Sequence, residues 1–227
     1  MAADTTPDSA ESAGSSKGGK RSRGRGPLGV ITETAVLVVI AVVLAAIIKA
    51  FFVQAFYVPS QSMAPTLAPD DRILVEKPSY WAGGPERGDI VVFADPGGWL
   101  GELPEQTTLQ KGLSAIGLLP TGGHLVKRVI ATGGETVACC APSGKLLIDG
   151  RQLDEPYLPA SVKPSQIEFT ATVPEGYIWV MGDNRGDSED SRFHQDDPGK
   201  GFVPVDDVVG KTFVIVWPTD RWDWLGF

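Results

Sequence analysis

The chain has 227 residues and a mass of 24.1 kDa, with 20 Lys+Arg against 28 Asp+Glu and a net charge of −8. That balance excludes the basic face of a nucleic-acid binder, so no nucleic acid is expected as a partner. An apolar content of 42% excludes wholesale disorder.

Residues 1–29 carry Asp4, Asp8 and Glu11 against Lys17, Lys20, Arg21, Arg23 and Arg25, among Ser, Gly, Ala, Thr and Pro. Nothing there buries enough apolar surface to offset ordering, which predicts a disordered cytoplasmic tail. Ala35 to Ile48 is unbroken apolar, and with Lys49 as the one exception the run continues to Val53. Nineteen residues at about 1.5 Å each cover about 28 Å, close to a bilayer core of roughly 30 Å. Lys49 can snorkel at one end, and Phe51, Phe52, Phe56 and Tyr57 follow. A transmembrane anchor over 30–56 is expected, its N-terminus held in the cytoplasm by the basic cluster and its C-terminal part exported. A cleaved signal peptide is the competing reading, because the 14-residue run fits an h-region and Val53-Gln54-Ala55 resembles a cleavage site.

Residues 57–227 hold 14 bases and 24 acids. Short branched runs punctuated by Gly, Pro and Asp predict strands at 72–76, 89–93, 125–130, 145–148, 177–181 and 208–217. Asp149-Gly150 is a type I′ hairpin signal. Segment 97–123 reads as an excursion between strands, with Leu109, Leu113 and Ile116 at helical spacing. Its Trp99, Leu100, Leu113, Ile116, Leu118 and Leu119 suggest contact with the lipid interface. Cys139 and Cys140 are adjacent and lack the spacing of a zinc site, so two thiols, a vicinal bridge and an intermolecular bridge all stay open.

Three segments look out of place in a plain β domain. In Pro59-Ser-Gln-Ser-Met-Ala-Pro-Thr-Leu67, prolines restrict the backbone around two serines, though an ordinary turn reads the same. In Leu125-Val-Lys-Arg-Val-Ile130, a lysine sits in an apolar run. Burial there would lower its pKa and suit it as a base, whereas an edge position would make it an aggregation guard. The third is the polar stretch Gly182-Asp-Asn-Arg-Gly-Asp-Ser-Glu-Asp-Ser-Arg192. No G-x-S-x-G elbow occurs, and His124 and His194 read as solvated loop residues rather than triad members.

Together these motifs, in this order and behind an apolar anchor, resemble the bacterial type I signal peptidases, membrane-bound serine proteases with a Ser/Lys dyad. The resemblance implies a mainly β, antiparallel signal-peptidase-like catalytic domain outside the cytoplasm, anchored by one helix in the bacterial plasma membrane. It implies Ser62 as nucleophile and Lys127 as general base. Ser60 would join the Ser62 N–H in an oxyanion hole, Ser188 would orient the lysine, and Asp190 and Arg192 would form a supporting ion pair. Phe56, Val58, Met63, Leu67 and Val126 would line pockets for small residues at −1 and −3 of exported preproteins. No metal or organic cofactor is implied, and the oligomeric state stays open. Gln61, Glu135 and Asp187 depart from residues common in the family, and Asp187 would alter the charge felt by Lys127.

Overall fold

The computed structural model describes residues 27–80, 83–101 and 123–226. The tail 1–26, the side chain of Lys49 and the positions Leu109, Leu113, Ile116, Leu118 and Leu119 lie outside that description.

The chain divides into two compact units, 1–43 and 44–227. Helix α1, Pro27–Phe51, contains Ile31–Ile48, a stretch long and apolar enough to cross a membrane. Its residues 31–48 are exposed.

Beyond the end of α1 the second unit is mainly β, and its strands pair antiparallel. One sheet takes β1 (Val53–Tyr57), β2 (Arg72–Glu76), β3 (Ile90–Ala94), β4 (His124–Thr132), β9 (Tyr177–Met181), β10 (Val203–Pro204), β11 (Val208–Trp217) and β12 (Asp223–Trp224). Its order is β1-β2-β11-β3-β4-β9-β10, and β12 pairs with β11. A smaller sheet has the order β7-β6-β5-β8, from β5 (Thr136–Cys139), β6 (Leu147–Ile148), β7 (Arg151–Gln152) and β8 (Phe169–Thr172).

The large sheet is covered on both faces, and the alternation along its strands shows how. On β3, Ile90 and Val92 join a cluster with Phe56, Met63, Leu67 and Ile73, while Val91 and Phe93 join Val129, Ile178 and Val180. On β9, Trp179 and Met181 turn toward the smaller sheet, against Ile130, Val137, Phe169 and Ala171. Two-sided burial explains why Ile90-Val-Val-Phe93 is continuously apolar rather than alternating.

Several expectations need adjustment. Val53–Phe56, expected as the end of the anchor, instead form most of β1, because their partners are the backbone of β2. The run 145–148 yields only the two-residue β6. Asp149 and Gly150 have φ of 50° and 77°, the left-handed pair a type I′ turn demands. Cys139 and Cys140 form a vicinal disulfide across a cis peptide bond.

Candidate active site

The segment 58–71 follows β1 and is tied down at both ends, by Val58 N–H to Asp71 O (2.9 Å) and Asp70 N–H to Val58 O (3.0 Å). Met63 and Leu67 are its apolar anchors, both fully buried in the core beside β2 and β3. Between these anchors the backbone presents Ser60 and Ser62. Asn184 fixes the turn from the far side: its N–H reaches Ser62 O at 3.0 Å and its Nδ2 reaches Gln61 O at 3.1 Å.

β4 supplies the partner. Lys127 is 4% exposed, and its Nζ donates to Ser62 Oγ at 2.6 Å. Ser60 Oγ is 3.2 Å from Ser62 Oγ. Burial disfavours the ammonium and lowers the Lys127 pKa to about 8, although the Asp190 carboxylate pulls the other way. A primary amine with a pKa lowered this far has a neutral fraction near physiological pH that free lysine lacks, and in contact with a hydroxyl it can act as its base.

Asp190 in turn is fully buried. It pairs with Arg192 through Nε–Oδ1 and Nη2–Oδ2 contacts of 2.8 Å each, and it accepts the Gly182 N–H at 2.9 Å and the Ser188 hydroxyl at 2.8 Å. The immediate partner of Ser188 is therefore Asp190, not the lysine amine that the resemblance implied. Gly182 packs so closely on Ser188 and on the Ser62 carbonyl that a Cβ there would overlap both. A second buried pair lies alongside: Arg128 Nε and Nη2 grip Asp183 at 2.8 and 2.7 Å, and Thr66 Oγ1 donates to the same carboxylate at 2.6 Å. That pair links β4, the serine segment and the 182–192 segment. Sequence reading passed over it because Arg128 and Asp183 look solvated until their burial is known.

A cleft of about 460 Å³ opens beside Ser62 and Lys127. Phe56, Val58, Met63 and Val126 line it, as do Tyr57, Val92, Leu100, His124 and Leu125. Leu67 does not; it is spent in the core behind the serine turn. His124 is not a loop residue but the first residue of β4, packed with its ring 5.4 Å from that of Phe56. His194 is half-buried, stacked on Trp99 at 4.3 Å and 2.7 Å from Asp197 through Nδ1. Asp187 is exposed. Glu135 accepts from Thr132 N–H at 2.8 Å and pairs with Arg87, in the turn that leads into β5.

Residues 31–217 match the family described as signal peptidase, peptidase S26. The chain belongs to that family. Among peptidase S26 relatives, signal peptidase I of Mycobacterium tuberculosis is 42% identical over 247 aligned residues, covering 96% of this chain and 83% of that protein. The probable signal peptidase I of Mycobacterium leprae is 37% identical over 86% of this chain and 78% of its own. Signal peptidase I U of Bacillus subtilis is 32% identical over 80% and 87%. The chain is accordingly a peptidase, with an antiparallel β catalytic unit.

Proposed function

We propose that this chain is a serine endopeptidase anchored in the bacterial plasma membrane by α1, which removes signal peptides from exported preproteins through Ser62 and Lys127. The observation that carries this reading is the 2.6 Å contact between the Ser62 hydroxyl and a buried lysine amine. That the relatives are signal peptidases supports the substrate class.

Neutral Lys127 takes the Ser62 proton as Oγ attacks the scissile carbonyl carbon. The Ser62 N–H, which carries no hydrogen bond among the described residues, and the Ser60 hydroxyl receive the developing oxyanion. The Lys127 ammonium then gives its proton to the departing amine, leaving an acyl ester on Ser62. Water attacks that ester with Lys127 again as base. Ser188, Asp190 and Arg192 hold the lysine's surroundings in place.

The sheet gives the substrate a place to lie. β3 pairs with one edge of β4 from His124 to Arg128, but β9 covers the other edge only from Arg128 onward. An extended peptide can add its backbone beside His124–Lys127 and place alternate side chains in the cleft. Phe56, Val58, Met63 and Val126 line the cleft beside Ser62, and the small residues at −1 and −3 would seat against them.

The test is cleavage of a preprotein peptide by the full chain. Ser62→Ala and Lys127→Ala should each lower kcat about 10³-fold or more, while His194→Ala should cut normally. Retained cleavage in Ser62→Ala would sink the assignment. Loss in His194→Ala would point to a histidine-dependent mechanism instead.

A further inference from the structure

Leu100 lines the cleft, yet it belongs to neither the serine motif nor a strand. It sits in the turn that leaves β3, and that turn is built with care. The Asp95 carboxylate accepts four backbone N–H groups, from Gly97 (3.2 Å), Gly98 (2.9 Å), Trp99 (2.8 Å) and Leu100 (3.1 Å). Partial burial works against the charge of Asp95, but these donors hold its carboxyl below the usual carboxylate range. The neighbouring Trp99 is driven inward, edge-on to Phe93 at 5.9 Å and stacked on His194. The Asp95 N–H bonds Gly123 O at 2.9 Å, which ties the turn to the start of β4.

An exposed leucine alone carries no meaning. Here the anchor and the four donors leave Leu100 39% exposed on the cleft wall, next to Gly123 and His124. That end of the cleft is three to four residues along β4 from Lys127, or about 10–13 Å at strand spacing. A peptide strand beside β4, with its −1 carbonyl at Ser62 and its N-terminal part running toward His124, reaches that end at −4 and −5, and alternation from −1 and −3 turns the −5 side chain into the cleft opposite Leu100. Phe56, Tyr57 and His124 complete an apolar and aromatic wall at the same end.

We propose that Leu100 is a specificity-determining residue that favours an apolar side chain at −5 of the substrate. The proposal rests on the peptidase reading above and adds a subsite to it. Asp95 and Trp99 act as positioning residues that hold Leu100 in the wall.

The experiment compares two preprotein peptides that are identical except for Leu or Asp at −5, with the full-length protein in detergent. The readout is the ratio of their kcat/KM values, which a general loss of folding or chemistry does not move. The wild type should favour the Leu peptide about tenfold, near the effect of burying part of one leucine. Leu100→Ala should lower that ratio at least threefold and Leu100→Arg at least tenfold, with Asp95→Ala moving it in the same direction. A ratio unchanged in both Leu100 variants overturns the proposal alone. If the wild type cuts neither peptide, or Ser62→Ala cuts both as well as wild type, the peptidase reading falls and takes the proposal with it.

Discussion

Lys127 is the residue on which stability and chemistry pull in opposite directions. Burial lowers its pKa from 10.5 to about 8, so near pH 7 the folded chain still holds most of that amine as an expensive buried cation. Between about pH 8 and 10.5 the unfolded chain binds the proton and the folded chain does not, so this group makes stability rise with pH across that window. Lys127→Met should therefore abolish cleavage while melting no lower than wild type at pH 7, measured by thermal unfolding. The neutral amine is the active form, so kcat/KM should climb as pH rises toward about 8 and level off above it. The Asp190 charge raises the Lys127 pKa. Asp190→Asn should then shift the whole rising limb to lower pH, whatever it does to the maximum. A limb that stays in place, or moves up, would mean that another group controls the profile.

The three segments that build the site were legible because each is short and chemically odd: a serine turn pinned by apolar residues, a lysine in an apolar strand, and a polar run where a turn would suffice. Other elements were hidden by their neighbours. β1 reads as anchor because Val53, Ala55 and Phe56 are as apolar as α1, and only pairing with β2 separates them. β8, with Thr170, Ala171 and Thr172 after Phe169, lacks the branched apolar run that marks a strand. Leu67, expected in a substrate pocket, is taken into the core, and Leu100, expected at the lipid interface, lines the cleft, which depends on tertiary packing that spacing does not encode. The connection among the three segments is equally tertiary. Gly182 has both Ser188 and the Ser62 carbonyl against its Cα, so any side chain there must push the nucleophile or its support aside. Gly182→Ala should cost about 10²-fold in kcat, the effect of roughly 1 Å of misplacement, with KM changed less. Removing Asp183 takes from the buried Arg128 guanidinium the carboxylate that neutralises it. Asp183→Ala should lower unfolding free energy by about 3–5 kcal/mol in denaturant titration. An unaltered midpoint in that variant would mean water reaches Arg128.

At the scale of the whole molecule the net charge of −8 conceals a division that bears on topology. Five of the 20 bases lie within residues 17–25, ahead of the apolar run, whereas residues 57–227 hold 24 of the 28 acids. Basic residues flanking a first apolar helix resist translocation, so the proposed orientation keeps the N-terminus in the cytoplasm and exports the catalytic unit. Acidic residues contribute little to that choice, so the acidity of residues 57–227 does not steer it. The orientation should accordingly depend on Lys17, Lys20, Arg21, Arg23 and Arg25 as a group. Replacing all five with Gln should leave a measurable fraction of the chains with the catalytic unit on the cytoplasmic side. Protease added to intact spheroplasts would digest that unit in wild type and spare the misoriented fraction in the variant. The same fraction should lose preprotein processing in cells while the detergent-solubilised variant cuts peptide at the wild-type rate, since none of the five residues belongs to the catalytic unit. Complete digestion in the variant would place the orientation signal elsewhere in the chain.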